Sequence, residues 1–381
     1  MINILFVTHY SDLLGANRSL LAFLIYIKKN TDYNPIVLLS NNGKLLEELK
    51  KNNITYYRCH AYPSVYEKRT FIDVIKGVIR ECITLMVSLR LFFLFRNKGV
   101  QLIHTNSSVT NVGAYLSLML GVPHIWHFRE FVKQHYKLSY NWGECYQKYL
   151  WKNCANTIIS ISNILKKYYD SVLTESKIVT IYNGIDSALV TSIKPKKNDF
   201  FDIAIVGVIH PGKHQDIALK AIGKVVHKYN VKNVHLHVYG NCIDENYLAY
   251  IKQIVVDEKI QDYITFHGFQ LGILQKTESY HVGIVASEYE AFGRVTIEYM
   301  LNQMIPIVSN SGANTEIVHD GVNGFVFELN DVESLATHLV NVVKQYRSLN
   351  GMLRNIEETT KHFTVEANAN GILTQYREIL R

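Results

Sequence analysis

Cysteine is scarce in this sequence. The five present, Cys59, Cys82, Cys145, Cys154 and Cys242, form no C-x-x-C and are odd in number. That argues against a disulfide framework and a zinc site and fits a reducing compartment. Long apolar runs are lacking too. The nearest to a membrane span, CITLMVSLRLFFLF at 82–95, carries Arg90 inside it and falls short of the roughly 18 residues required. The opening MINILFVTHY has no basic residue ahead of its apolar run, so it reads as a buried strand rather than a signal peptide. The expectation is a soluble, cytoplasmic chain. No G-x-G-x-x-G, P-loop, H-E-x-x-H or G-x-S-x-G occurs, which counts against NAD chemistry, P-loop hydrolysis, zincins and α/β-hydrolases. The 25 tyrosines and the net charge of +7 invite a nucleic-acid reading, but no RNP-like or helix-turn-helix pattern supports one. Tandem short repeats and low-complexity tracts are also missing.

What remains is a globular composition. Hydrophobic residues make up 48% and charged residues 19% of 381 positions, enough to bury a large core and, at this length, to fill two domains. The charge is uneven. Residues 1–195 hold 23 Lys and Arg against 12 Asp and Glu, whereas the remainder holds 17 against 21. The first half is therefore expected to meet something anionic, either nucleic acid or a membrane surface with anionic lipids.

Short apolar strands alternate with helical patterns along the first half: strands at 2–9, 34–40, 54–60, 100–106, 123–128 and 157–162, with helices at 18–30 and 43–53. After a polar, proline-containing break at SIKPKKNDF (192–200) the alternation restarts. Strands then fall at 201–209, 234–240, 264–269, 281–287, 305–310 and 324–329, and helices at 213–229, 244–258, 331–347 and 365–380. Such alternation specifies parallel sheets with helices on both faces, with ligands at the carboxyl ends of the strands. The fold class is α/β, two doubly wound Rossmann-like domains, 1–195 and 196–363, with a cleft expected between them.

Four strand-end segments carry candidate chemistry. In THYSDLLGANRSL (8–20), Gly15 either only makes the turn or lets backbone N–H groups approach a phosphate at a helix N-terminus. In VGVIHPGKHQDIALKAI (206–222), Lys213 stands where it can neutralise a diphosphate leaving group, or it is a solvated helix lysine. In SEYEAFGRVTIEYM (287–300), Glu290, Phe292 and Gly293 occupy the loop before a helix, and Glu298 lies two turns further on. Glu290 can accept hydrogen bonds from sugar hydroxyls, and Glu298 can hold vicinal ribose hydroxyls. The plainer reading makes Glu290 a complement to the helix dipole and Glu298 a solvated residue. In PHIWHFREF (123–131), His127, Arg129 and Glu130 are expected in a strand-end loop. Residues 83–95 are expected to form a buried helix with basic ends, the alternative being a membrane-docking element. Gly240 and Gly268, at the ends of two second-half strands, join the donor-binding set.

Together these segments resemble the retaining glycosyltransferases of family 4, of GT-B architecture. EAFGRVTIE (290–298) is similar to that family's E-x7-E motif, and SGANTEIVHDGVNGFVFELND (311–331) to the glycine-rich segment after it. IYNGID (181–186) resembles its strand-end signature, and LGANRSL (14–20) its N-terminal glycine loop. The resemblance implies that Glu290 contacts the donor sugar, Glu298 binds the ribose, and the backbone at Phe292–Gly293 meets the donor. Lys213 would pair with the diphosphate, Gly15 would approach it from the first domain, and His127 would sit at the sugar. The helix at 364–381 would pack back onto the first domain. One departure stands out: Val208 replaces the arginine usually found five residues before the lysine, which leaves Arg294 as a candidate substitute cation.

The reaction so implied moves a hexosyl or N-acetylhexosaminyl group, with retention, from a nucleoside diphosphate sugar to an acceptor hydroxyl. UDP is the favoured base and GDP the second. The leaving phosphate would take the acceptor's proton. There is no D-x-D, the acidic pair many metal-dependent sugar transferases use, so no metal and no cofactor is expected; fixed cations and helix dipoles would take that part. The expected partners are a glycan or polyprenyl-diphosphate-linked acceptor of bacterial polysaccharide assembly (O-antigen or capsule) and the cytoplasmic face of the inner membrane, met through the basic first half. Two other readings stay open: a nucleotide-sugar epimerase of the same architecture, and a catalytically silent nucleotide-sugar binder.

Overall fold

The computed structural model describes residues 1–68, 70–134, 137–173, 177–186, 200–270, 272–277 and 279–381. The expected boundary at 195/196, and the expected linker but for Phe200, lie outside them. The chain divides into two compact units, Met1–Gly184 with Val365–Arg381, and Ile185–Thr364.

In the first unit the elements run β1 Ile2–Val7, α1 Gly15–Asn30, β2 Tyr33–Leu39, α2 Lys44–Lys51, β3 Thr55–Arg58, β4 Val65–Glu67, α3 Phe71–Phe95, β5 Val100–Thr105 and α4 Val112–Leu120. They continue with β6 His124–Phe128, β7 Leu138–Tyr140, α5 Gly143–Cys154, β8 Thr157–Ser160, α6 Asn163–Val172 and β9 Ile178–Thr180. Among the described residues a seven-stranded parallel sheet forms in the order β3-β2-β1-β5-β6-β8-β9. Alternate residues of β1 feed two cores. Ile4 and Phe6 join Leu24 and Leu49 on one face, while Leu5 and Val7 join Leu91 and Phe95 on the other. That is the pattern of a strand covered on both sides.

The second unit contains β10 Phe201–Val206, α7 Gln215–Gly223, β11 Val234–Tyr239, α8 Glu245–Asp257, β12 Ile264–Gly268, α9 Ile273–Lys276 and β13 Val282–Val285. After these come α10 Arg294–Leu301, β14 Ile305–Ser309, α11 Asn314–Ile317, β15 Phe325–Phe327, α12 Val332–Gln345 and α13 Asn350–Thr360. Its sheet is also parallel, in the order β12-β11-β10-β13-β14-β15. The strand order reverses between β10 and β13, so the loops after these two strands open side by side, the arrangement that makes a ligand crevice in doubly wound sheets. The last helix, α14 Val365–Ile379, belongs to the first unit. Its Ala369, Ile372, Leu373 and Tyr376 enter the core that holds Ile4 and Phe6.

Some elements differ from the sequence expectation. The expected helix at 213–229 is divided. A 3-10 turn, Pro211–Lys213, is followed by His214 in the left-handed region at φ +49°, and the regular helix starts only at Gln215. The antiparallel pair β4–β7 was not expected, because three-residue strands carry no readable period. The helix expected at 83–95 is much longer, and it is not a buried helix: Met86, Leu89, Phe93 and Leu94 are all exposed.

Candidate active site

The reversal point of the second unit brings together Lys213, from the loop after β10, and Glu290, from the loop after β13. The Glu288 amide donates to Gly212 O at 3.1 Å, tying one loop to the other. Lys213 Nζ then lies 2.9 Å from Glu290 Oε2 and 3.3 Å from Ser287 Oγ. The other carboxylate oxygen, Oε1, accepts from the Gly293 amide at 3.3 Å. A third loop fixes the carboxylate's backbone. Ala313 donates to Glu290 O at 2.7 Å, and Gly312, at φ +62°, lies so close that a Cβ would come within 2.4–2.9 Å of Glu290 main-chain atoms. Burial pushes the Glu290 pKa up, but Lys213's charge and hydrogen bond, with those of Gly293 and Ser287, outweigh it and hold the carboxyl below its ordinary value. Glu290 is therefore an anion at neutral pH.

The helix that follows carries the second glutamate. Glu298 is only 5% exposed and accepts from Arg294 Nε at 2.9 Å. The i,i+4 spacing places both on one helix face. Two expectations change in consequence. Glu298 is not a solvated residue, and Arg294, the candidate substitute for the cation missing at Val208, is paired with Glu298. Val208 itself is 40% exposed. Phe292 is buried, edge-on to Phe363 at 6.1 Å; its ring anchors the loop, and its main chain is what remains for a ligand. Gly293, the N-cap of α10, stands at φ +89°, where a side chain would be strained and would press on Ile317. Gly240 approaches the β10 loop so closely that a Cβ would overlap Gly207 O, and its amide donates to Gly268 O at 3.0 Å. Gly240 thus packs beside the Lys213 loop, whereas Gly268 ends the edge strand β12.

In the first unit Gly15 is the exposed first residue of α1. Leu14 supplies no side-chain cap there, and no acidic residue lies in the first turn. His127 is not in a loop, as expected, but inside β6 and fully buried. Its Nδ1 lies 3.1 Å from His104 Nε2 and 3.4 Å from Arg129 Nη2. His104 Nδ1 in turn lies 2.7 Å from the Tyr376 hydroxyl. Arginine can only donate, so Nδ1 of His127 is the acceptor and the proton sits on Nε2, which is buried and has no partner among the described residues. Burial, then the Arg129 charge and the neighbouring His104, hold His127 well below its ordinary pKa. Arg129 is also buried, donating to Asn106 at 2.6 Å and to Asn183. Glu130 accepts from the Ser107 hydroxyl at 2.6 Å and from the Ser108 amide at 2.9 Å.

The structure thus joins Lys213, Glu290 and Gly293 at one point, pairs Glu298 with Arg294 on the adjoining helix, and leaves Gly15 and His127 in the first unit. Sequence reading missed Ser287, Gly312 and the backbone of Gly212. Gly312 lay inside the glycine-rich 311–331 segment, and only the fold shows which glycine touches Glu290.

Two parallel sheets in succession, each covered by helices, are the GT-B arrangement, and the family matches give its class as glycosyltransferase. Residues 31–189 match the family model described as Glycosyltransferase Family 4, and residues 190–362 that described as Glycosyl transferases group 1. The chain belongs to this glycosyltransferase family. It is similar to an uncharacterized glycosyltransferase of Methanocaldococcus jannaschii, 25% identical over 292 residues, 75% of this chain and 78% of the relative. It is also similar to the UDP-Gal:alpha-D-GlcNAc-diphosphoundecaprenol alpha-1,3-galactosyltransferase of Escherichia coli, 25% identical over 288 residues, 70% and 72% of the two chains. The fold matches that of Anabaena Alr3699/HepE, solved in complex with UDP, at a TM-score of 0.83, with 18% identity and 99% and 100% coverage of the two chains.

Proposed function

We propose that this chain moves a hexosyl or N-acetylhexosaminyl group, with retention, from a UDP-sugar, or secondarily a GDP-sugar, to a hydroxyl of a glycan or polyprenyl-diphosphate-linked glycan in bacterial surface-polysaccharide assembly, at the cytoplasmic face of the membrane. The observation that carries the reading is the 2.9 Å pair of Lys213 and Glu290 beside the N-terminus of α10. A fixed cation and open helix amides can hold a diphosphate as its charge grows, without a required metal ion. The anionic Glu290 balances positive charge at the sugar carbon as the bond to phosphate breaks. The new glycosidic bond forms on the same face, and the departing phosphate oxygen takes the acceptor's proton. Glu298 would take the ribose hydroxyls, Gly293 and the Phe292 main chain the donor's sugar or phosphate, and Gly240 and Gly268 would shape the floor of the donor site. Gly15 would meet the diphosphate, and the Nε2–H of His127 would donate to the sugar. The names of the relatives support a lipid-diphosphate acceptor, since one of them acts on a diphosphoundecaprenol glycan.

The exposed Val208, with Arg294 engaged by Glu298, favours a second reading, a silent nucleotide-sugar binder. A thermal-shift panel of UDP-, GDP-, ADP- and dTDP-sugars without added metal separates these cases. One nucleotide class is expected to raise the melting temperature of the wild type and to do so less for Glu298→Ala. Glu290→Gln is expected to keep the shift and lose turnover by about 10²-fold or more. A donor that binds the wild type but is never transferred or hydrolysed favours the silent binder, and no shift with any donor sinks both readings.

A further inference from the structure

Helix α3 leaves a broad apolar face exposed. Its buried side carries Gly77, Glu81, Thr84 and Ser88, small or polar positions, followed by Leu91 and Phe95 at the C-terminal end. Glu81 is fully buried and accepts from Asn111 at 2.8 Å, Tyr115 at 2.6 Å and Asn141 at 2.9 Å, and Thr84 donates to Tyr62 O at 3.3 Å. Gly77 lies so near Tyr66 that a Cβ would come within 2.8 Å of its ring. Up to Ser88 the helix thus meets the rest of its unit with small and polar side chains, and its last two turns add Leu91 and Phe95 to the core. Exposed on the other side are Phe71, Ile72, Ile75, Val78, Ile79, Met86, Leu89, Phe93 and Leu94, each between 41% and 77% accessible.

At about 100° per residue these nine fall within an arc of about 160° opposite Gly77, Glu81 and Ser88. With roughly 200 Å² of surface per side chain, the arc exposes on the order of 900 Å², above the about 300–600 Å² of the largest patch on an ordinary monomer. The charges around it have one sign. Lys76 is exposed at one edge of the arc, Arg90 within it and Arg96 at the end, with half-buried Arg80 and Lys98 nearby; the acidic residues between 71 and 98 are Asp73 and the buried Glu81. No helix among the described residues is long and apolar enough to cross a membrane, so such a helix lies in an interface rather than through it.

We propose that this face of α3 docks on an anionic lipid bilayer, its apolar arc entering the acyl boundary and its cations meeting the headgroups. Charge complementarity decides the occupant. Residues 1–195 carry eleven more basic than acidic side chains, which favours anionic lipid. A second copy laid on the same face would bring its own Lys76, Arg90 and Arg96 toward those of the first, like charge to like. The inference deepens the proposed membrane-side acceptor by naming the contact surface, but it is tested without donor or acceptor.

The full chain is mixed with vesicles of phosphatidylcholine alone or equimolar with phosphatidylglycerol, and its partitioning is read by sedimentation at low and high salt. The wild type is expected to bind the anionic vesicles. Ile75→Glu/Met86→Glu/Phe93→Glu is expected to lose at least about tenfold in partitioning at both salt levels, and Lys76→Glu/Arg90→Glu to lose the salt-sensitive part. Unchanged urea midpoints would show that both variants fold. As a second readout, a polarity-sensitive dye on the exposed Cys82 of the otherwise native helix, in a Cys145→Ser background, is expected to shift to the blue on anionic vesicles. A wild type that ignores both vesicle types overturns the proposal. So does a triple variant that binds undiminished, or a wild-type dimer by light scattering that the triple variant splits without any vesicle binding in either. Failure of donor binding leaves this test intact, and failure here leaves the transferase reading intact.

Discussion

Tyr376 stands 272 positions from His104, yet its hydroxyl lies 2.7 Å from Nδ1 of that ring. The phenol donates to Nδ1 of His104, His104 donates from Nε2 to Nδ1 of His127, and His127 is left with its proton on Nε2. Replacing Tyr376 by Phe keeps the ring against Phe23 and Tyr33 but leaves a buried acceptor unmet. The expected cost is about 1–3 kcal/mol in urea unfolding, with a changed nitrogen chemical shift at His127. A loss below about 0.5 kcal/mol would mean that the hydroxyl contributes no bond of this kind. The pattern PHIWHFREF pointed to His127 as a candidate, but it could not show that the ring is buried or who holds it. Those partners come from other strands and from the last helix, and no local spacing encodes them.

Among the elements, α10 shows how a helix is set at a fixed height over a sheet. Tyr299 is buried against β13 at Gly283, where a Cβ would lie 2.0 Å from the ring. The Tyr299 oxygen accepts from the Val206 amide at 2.8 Å. Gly283→Ala should push the ring, and with it the helix Arg294–Leu301 that carries Glu298, away from β13. Overpacking of this kind costs about 1–3 kcal/mol, several degrees in the melting temperature of the second unit, and weaker donor binding by calorimetry should accompany it. An unmoved melting temperature would show that the helix yields without cost. The strands around this helix were legible because HVGIVAS and IPIVSN are continuous apolar runs bounded by polar residues, the mark of a strand covered on both faces. Helix α3 was misread for the converse reason. A long apolar stretch has the same composition whether its apolar side faces a core or the outside, and here Glu81 and its donors hold the polar side inward.

At the scale of the whole chain, four histidines of the first unit sit below their ordinary pKa, each with burial as the main cause. His9, His104 and His127 are lowered, and His124 is lowered to about 3. The unfolded chain takes these protons near pH 6.5 and the folded chain at lower pH, far lower for His104, His124 and His127. Stability is therefore full above about pH 6.5 and is lost as the pH falls beneath it, by about 1 kcal/mol per histidine per pH unit. All three tryptophans, Trp126, Trp142 and Trp151, lie in this unit, so the urea midpoint followed by tryptophan fluorescence reports on it. That midpoint is expected to drop steeply from about pH 7 to about pH 5.5. A flat profile would show that these rings reach solvent.

The amino-acid sequence by itself determined the α/β class, the strand-helix alternation through both halves and the family, because buried parallel strands, glycine loops and the 290–298 motif are local patterns that survive as text. It also named Lys213 and Glu290. Only the tertiary structure decided that these two meet at 2.9 Å, that Glu298 takes Arg294 as its partner, and that α3 turns its apolar side outward. Each depends on which loops the strand order brings side by side and which face of a helix a neighbour covers. Those are distances through space, and residue order along the chain does not contain them.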